Sequence, residues 1–245
     1  MPMAATKGSK PAKQQNHSLT LERGLSVLSV LGEHPAGLSV SELAKRMSTH
    51  RPGVYRLLGP LLERRLVHRA EDGRYTLGIG LIELAGRVRP RLQEVAMPEL
   101  QQLADEVGAT TALTLRDGDT AVVAAVLEPR NTEMHIAYRT GLRHDLDQAA
   151  SGIAILAALP PAPGEREAIV EARHRGWAYS SGELLAGASG VGVAIATPGN
   201  ADAASVSAVW IGDRDPERAA GLVKEAAKRI EAGLDGRVGD GGKQA

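Results

Sequence analysis

The sequence predicts an α+β protein built from two parts, and three observations support this. Apolar residues recur at helical spacing near the N-terminus, β-rich runs dominate the middle and the end, and Asp-Gly pairs join strand-like runs at two places. The distribution of charge supports the same division into two parts. Residues 1–92 contain 15 lysines and arginines against 7 acidic residues, a balance of +8, whereas residues 93–245 carry −8. Such a division is typical of a polyanion-binding module joined to a second domain.

Length and composition narrow the class further. At 245 residues the chain suits two domains, and its 43% hydrophobic content is enough for packed cores. The absence of cysteine excludes disulfides, thiolate zinc sites and cysteine nucleophiles. No apolar run reaches the roughly 20 residues of a membrane span, and no secretory leader is recognisable. We therefore expect a cytoplasmic protein with no membrane association.

The N-terminal part, residues 19–78, is predicted to be a winged helix-turn-helix. A first helix carries an apolar stripe of Leu21, Leu25, Leu28 and Leu31. A short second helix follows Ser39, and after a brief turn a third helix carries apolar residues at i, i+3, i+4, i+7 and i+8, namely Val54, Leu57, Leu58, Leu61 and Leu62. Two short strand-like runs flanking Glu71-Asp-Gly then form a hairpin, since glycine tolerates the positive φ of a tight turn.

The polar side of the third helix predicts contacts to double-stranded DNA. In a helix-turn-helix the second helix of the motif lies in the major groove, with its N-terminal residues nearest the bases. Arg51 and Arg56 are suited to bidentate contacts with guanine. Bases or phosphates are within reach of Thr49, His50 and Tyr55, and phosphates within reach of the hairpin arginines Arg69 and Arg74. For each of these side chains, a solvated surface role is the alternative.

Pro60 lies inside the predicted third helix. Proline lacks the N–H that would bond to the carbonyl of Arg56, at a cost of roughly 3 kcal/mol in a continuous helix. We therefore expect a bend near residues 58–60 that leaves a short straight segment for reading DNA.

The remaining chain is divided by composition and periodicity. Residues 1–18 are expected to be a disordered basic tail, residues 79–95 a linker helix interrupted near Pro90, and residues 239–245 a flexible tail. Residues 96–238 combine amphipathic helices with strand-like runs at 110–115, 120–127, 134–138, 191–196 and 204–211, and a polar loop at 139–148. Hairpin signals among these runs favour an antiparallel sheet.

Several stretches resemble the IclR (isocitrate lyase regulator) family of bacterial transcription factors. In the N-terminal half the resemblance rests on Arg23-Gly-Leu-Ser-Val-Leu, Gly37-Leu-Ser-Val-Ser-Glu-Leu-Ala, Tyr55-Arg-Leu-Leu and Asp72-Gly-Arg-Tyr-Thr-Leu-Gly. It continues to about Ile211, where order and spacing support it. The resemblance implies a winged-helix DNA-binding domain and a GAF-like domain that binds a small metabolite. It also implies dimers or tetramers on pseudo-palindromic operators.

The chain departs from the family pattern where the effector is expected to bind. Asp147 replaces the histidine and Ile153 the lysine of the family's His-Ala-Thr/Ser-Ala-x-Gly-Lys-Ala run, and the cysteine often found near Gly192 is absent. A neutral or cationic effector therefore fits this chain better than a dicarboxylate. We expect an apolar cavity beside the sheet with a few polar groups. The candidate effector-binding residues are Thr114, Met134, Tyr138, Asp145, Asp147, Ser151, Ser189 and Gly190.

Catalytic and metal sites are not predicted. His144-Asp145-x-Asp147 has no further histidine at ligand spacing, and is interpreted as a solvated loop rather than a metal cluster. Gly187-Ala-Ser-Gly lacks the final glycine of a nucleophile elbow, because Val191 stands there. We expect a non-enzymatic protein without cofactor or metal.

The leading interpretation is a ligand-responsive transcription factor, a repressor or an activator, that binds an operator as a dimer or tetramer. The alternative is a metabolite-binding sensor or enzyme whose winged domain mediates protein contacts.

Overall fold

The computed structural model describes residues 18–131, 138–197 and 203–235. Met134, most of the strand expected at 134–138, nearly all of the N-terminal tail and the C-terminal tail lie outside these ranges. The chain forms two compact units, Met1–Val88 and Arg89–Ala245.

The first unit is the expected winged helix-turn-helix. Its elements are α1 (Leu19–Gly32), α2 (Val40–Arg46), α3 (Arg51–Glu63), β1 (Val67–Arg69), β2 (Tyr75–Leu77) and α4 (Gly80–Ala85). β1 and β2 pair antiparallel, and an isolated bridge joins Leu38 to Tyr75. All five apolar residues expected on one face of α3 pack in the core of this unit, with Val54 and Leu58 fully buried.

Local sequence explains where α2 begins. Ser39 Oγ accepts from the N–H of Glu42, and the Glu42 carboxylate accepts from the N–H of Ser39 at 2.7 Å. This capping box satisfies two backbone donors that the start of a helix leaves without partners. It therefore fixes the position at which the chain enters the helix-turn-helix.

The stripe expected on α1 is placed differently. Val27 and Leu31 face the core, whereas Leu21 and Leu25 are 62% and 54% exposed. Helical spacing identifies an apolar stripe but does not say what covers it, and here the two leucines are not covered by their own unit.

Pro60 does not interrupt α3, which continues to Glu63. Pro60 and Arg56 are both exposed, so water can hydrate the Arg56 carbonyl that lacks a helical N–H partner. The bend expected near this proline remains a prediction.

The linker helix expected at 79–95, with an interruption near Pro90, corresponds to two helices. α4 ends at Ala85, and α5 begins at Pro90 and continues to Val107. Arg89 precedes α5 in the left-handed conformation with φ 48°. The interruption therefore falls before Pro90, since proline is favoured at the first position of a helix and Arg89 breaks the helical path.

In the described residues, the second unit contains a six-stranded antiparallel sheet with helices on both faces. Its strands are β3 (Thr110–Asp117), β4 (Thr120–Leu127), β5 (Arg143–Asp145), β6 (Ala178–Ser181), β7 (Ala188–Ile195) and β8 (Ala204–Ile211), in the order β5-β4-β3-β8-β7-β6. Its helices are α5, α6 (Ala149–Ala158), α7 (Glu167–Arg175) and α8 (Pro216–Asp235). The antiparallel α+β architecture is as the sequence predicted.

The two faces of this sheet carry different residues. On one face, α5 and α8 enclose the largest apolar core, which includes Leu103, Leu113, Val206 and Ile230. The other face supports α6 and α7, and the odd-numbered residues of β8 point toward it, as the bond from Ser205 Oγ to the Ser151 carbonyl shows. Two strands were not predicted from the sequence: β5, which lies in the expected polar loop, and β6.

Candidate functional sites: an exposed helix face and a partly open cavity

The first candidate site is the outer face of α3. Val54 and Leu58 point into the core, whereas the side chains of Arg51, Tyr55 and Arg56 are exposed. The side chain of Tyr55 is 55% exposed, and both arginines are exposed. The N-terminal half of α3 thus exposes two guanidinium groups and one phenol ring.

The turn before α3 completes this surface. Ser48 adopts the left-handed conformation, φ 48°, and the chain then enters α3 through His50, which makes no side-chain cap. Thr49 lies close to Gly53, where an added Cβ would stand 3.1 Å from the Thr49 hydroxyl. The first turn of α3 contains no acidic residue. A helix start with this charge pattern attracts phosphate oxygens.

The two arginines of the wing, which is the hairpin of β1 and β2, make different contacts. Arg69 is exposed, with its guanidinium 5.8 Å from the centre of the Tyr75 ring. Arg74 donates to the Gly37 carbonyl at 2.8 Å and to Glu42 at 3.3 Å. Arg74 therefore ties the wing to the capping box of α2, and Arg69 is the better placed of the two for phosphate contact.

The second candidate site is a cavity of about 150 Å³ in the second unit. It lies between the start of α6, the loop from β6 to β7, and the neighbouring strands. The residues that line it are Tyr138, Leu142, Ala149, Ala150, Ser151, Ser180, Glu183, Leu184, Leu185, Ala188, Ser189, Gly190, Ser207 and Val209. Most of these are apolar or small, as in typical small-molecule sites.

Close backbone contact positions the start of α6 at this cavity. A Cβ added to Gly192 on β7 would stand 2.4 Å from the Ala150 carbonyl oxygen. Only glycine therefore allows β7 and α6 to approach this closely. The N–H of Ala150 also donates to Ser180 Oγ at 2.8 Å, which ties the helix to β6.

Polar side chains meet on one side of the cavity, where the Ser151 hydroxyl lies near both His144 and Tyr138. His144 is buried; its Nδ1 donates to the Asp145 carbonyl at 2.9 Å, and its Nε2 lies 3.3 Å from Ser151 Oγ. Burial raises the pKa of the Tyr138 phenol, and the nearby hydroxyls of Ser151 and Thr114 oppose that rise. The phenol is therefore neutral and can donate a hydrogen bond at physiological pH.

Seven of the eight predicted effector residues are among the described residues, and they fall into three groups. Tyr138, Ser151, Ser189 and Gly190 line the cavity. Thr114 is fully buried near Tyr138 but is not in the lining. Asp145 and Asp147 are exposed and do not line the cavity. The Ser189 hydroxyl is also bonded elsewhere, to Tyr179 and Ser181.

Three polar lining residues were not anticipated from the sequence: Ser180, Glu183 and Ser207. A signal existed for Ser207, because Ser205 and Ser207 alternate with apolar residues in β8 and so share one face of a buried strand. Ser180 and Glu183 carried no such signal, since their positions depend on how β6 and its loop pack against α6.

Among the described residues, no group of three His, Cys, Asp or Glu side chains is arranged to hold a metal ion. Within the same ranges, no helix is both long enough and apolar enough to cross a membrane.

Comparison with known proteins identifies both units. Residues 20–71 match the model of the IclR helix-turn-helix domain, and residues 88–166 match that of the bacterial transcriptional regulator IclR C-terminal domain. The chain is similar to the HTH-type transcriptional regulator Rv1719 of Mycobacterium tuberculosis, with 36% identity over 150 residues. That match covers 60% of this chain and 56% of the relative, so it spans little more than half of the relative's length.

Solved structures have the same fold. An IclR transcriptional regulator from Alicyclobacillus acidocaldarius is 25% identical, with a TM-score of 0.74 over 89% of this chain and 99% of that chain. An IclR homolog from Microbacterium hydrocarbonoxydans, complexed with 4-hydroxybenzoate, is 23% identical with a TM-score of 0.78 over the same shares. Together with the two domain matches in their expected order, these findings place the chain in the IclR family of bacterial transcriptional regulators.

Proposed function

We propose that this protein is a ligand-responsive transcriptional regulator that binds an operator in double-stranded DNA. The observation that carries the proposal is the outer surface of α3, where Arg51, Tyr55 and Arg56 are exposed while Val54 and Leu58 are buried in the core. Arg51 and Arg56 contact base edges in the major groove, and each contributes about 1–3 kcal/mol of discrimination against a wrong base.

The surroundings of α3 hold the protein on the DNA backbone. Thr49 and His50 lie at the start of the helix and Arg69 on the wing, where phosphate contacts set register without reading sequence. Arg74 contributes by holding the wing against α2 through Gly37 and Glu42. The excess of basic residues in this part of the chain draws it toward the polyanion.

The cavity of the second unit is the proposed effector site. Its volume, its largely apolar lining and its few buried hydroxyls suit a small organic molecule. A solved homolog in complex with 4-hydroxybenzoate supports a small-molecule effector for this chain as well. We infer no catalytic role, because His144 is held by a backbone carbonyl rather than by a carboxylate that would stabilise its charged form.

We propose a homo-oligomer, a dimer or tetramer, in the cytoplasm. On α1, Leu21 and Leu25 are more than half exposed, and so are Ile79, Ile82 and Leu84 in and next to α4. Such apolar surface is unfavourable in water, and a second copy would cover it. Two copies related by a two-fold axis would present two α3 helices to a pseudo-palindromic site.

A footprint on the DNA upstream of its own gene tests the proposal. We expect protection of a site with two half-sites one helical turn apart, centre to centre about 34–36 Å. Affinity should fall steeply with salt, since several phosphates are neutralised together. Equal affinity for promoter fragments and random duplex would contradict the proposal and favour a winged domain that contacts protein.

A further inference from the structure

One hydroxyl in the cavity lacks a partner. Ser207 is 1% exposed and lines the cavity, and its Oγ makes no hydrogen bond to any described residue. Ser205, two residues earlier on the same face of β8, instead donates to the Ser151 carbonyl at 2.9 Å. A buried hydroxyl without a partner is costly, so Ser207 points to a group that a ligand supplies.

At the start of α6, the end of the cavity that would attract an anion is already occupied by a carboxylate of the same chain. The start of a helix attracts anions through its free N–H groups and its dipole. Here the Glu183 carboxylate, from the loop between β6 and β7, accepts from the N–H of Ala149 at 2.9 Å. The next N–H, that of Ala150, is taken by Ser180. The carboxylate of Glu183 thus stands where an anionic ligand would bind.

Glu183 is in turn neutralised by Arg166. The two side chains make a bidentate pair with N–O distances of 3.0 and 3.3 Å, and Arg166 also donates to the Asp147 carbonyl. Among the described residues, no lysine, arginine or histidine is part of the cavity lining. The site therefore offers a ligand neither an unpaired cation nor an unpaired anion.

The size of the cavity limits its occupant. A volume of about 150 Å³ with a largely apolar lining matches cavities that hold a single six-membered ring. The hydroxyl of Ser207 and the phenol of Tyr138 add hydrogen-bonding groups to this lining.

Building on the proposed effector site, we infer that Glu183 determines the charge of the effector. By occupying the anion position at the start of α6 while paired with Arg166, it restricts the cavity to an uncharged single-ring molecule whose polar group bonds to Ser207. A charged ring compound would have to enter without a counter-charge, which is unfavourable in a largely apolar site.

The test uses three compounds of one shape and different charge: benzyl alcohol, benzoate and benzylamine. Isothermal titration of the full-length protein should detect benzyl alcohol, with benzoate and benzylamine at least about tenfold weaker because each would bury an unpaired charge. Glu183→Gln keeps an oxygen for the Ala149 N–H but leaves Arg166 unpaired. This variant should gain about tenfold in benzoate affinity, since Arg166 then supplies the counter-charge.

The reciprocal variant makes the opposite change. Arg166→Gln leaves the Glu183 carboxylate unpaired, and should raise the affinity for benzylamine rather than benzoate. Glu165→Gln is the matched control: it breaks a similar ion pair of the same unit, with Arg173 at 2.8 Å, that is not part of the cavity lining. This control should leave all three affinities unchanged.

Three outcomes would overturn the inference: binding of benzoate or benzylamine by the unaltered protein as tightly as benzyl alcohol, binding of none of the three, or equal effects of Glu183→Gln and Glu165→Gln on benzoate. The operator footprint is a separate readout. If the footprint fails, the proposed regulator function is wrong whatever the ring compounds do. If it succeeds while the charge series fails, only the role of Glu183 is wrong.

Discussion

The two candidate sites are built in opposite ways. On α3 the side chains expected to act are exposed, and the buried residues beneath them only hold the helix in place. In the cavity the hydroxyls of Ser151 and Ser207 are buried while Glu183 is exposed, and the orientation of these groups depends on contacts with several other elements. Changes to the α3 surface should therefore alter binding without altering folding, whereas changes to hydrogen-bonded or closely packed groups around the cavity should alter both.

The largest expected effect is on folding, at the contact between β7 and α6. Gly192→Ala should lower the free energy of unfolding by about 3 kcal/mol, because its Cβ would meet the Ala150 carbonyl oxygen at 2.4 Å and the backbone must shift. Urea denaturation would measure this. Gly221→Ala in α8 is the control, since nothing lies within 4 Å of its added Cβ. It should raise stability by about 0.5–1 kcal/mol, and equal effects of the two would contradict the tight contact.

The second largest effect is expected on the affinity of the exposed α3 surface for the operator. Arg51→Ala or Arg56→Ala should weaken operator binding by about 1–3 kcal/mol while leaving binding to random duplex much less affected. Arg64→Ala, at the other end of the same helix, is the matched control, because Arg64 is exposed but lies away from the N-terminal half. Gel-shift titrations with operator and random duplex would separate sequence-specific binding from non-specific binding. A uniform loss on both would show that these arginines contact phosphates only.

A smaller effect is expected for two serines of β8, Ser205 and Ser207, which differ in their hydrogen bonds. Ser205→Ala removes the 2.9 Å bond to the Ser151 carbonyl, and should lower the free energy of unfolding by about 1 kcal/mol. Ser207→Ala removes a hydroxyl that has no partner among the described residues, and should not destabilise the protein. It should instead weaken effector binding several-fold, as calorimetry would show. Destabilisation by Ser207→Ala equal to that of Ser205→Ala would mean that its hydroxyl is already satisfied.

The same contrast explains what the sequence could predict. The face of α3 follows from local spacing, so Val54, Leu58, Arg51 and Arg56 were assigned to the correct sides. The exposed Leu21 was misassigned because spacing reveals an apolar stripe but not its partner. For the cavity, the expected polar loop and the resemblance to the family's effector run suggested Asp145 and Asp147, yet both are exposed and lie outside the lining.

Non-local packing determines the rest of the cavity. Glu183 reaches the start of α6 across 34 residues of chain, and Ser207 reaches the cavity through the register between β8 and its neighbours. No local pattern encodes either arrangement, because each depends on which strand pairs with which.

The smallest expected effect is on how much stability each of the two units loses in acid. The Ser39 backbone N–H, with help from Arg74, lowers the pKa of the Glu42 carboxyl in the first unit; Arg166 does so for Glu183 in the second. A carboxyl with a lowered folded-state pKa stabilises the protein above its unfolded-state value of about 4.3, and this stabilisation is lost as pH falls through the lowered value. Glu42→Gln and Glu183→Gln should each reduce the loss of stability between about pH 7 and pH 3. Urea denaturation at both pH values would measure it, and a variant that loses as much stability as the unaltered protein would show that its carboxyl is not held in the charged form.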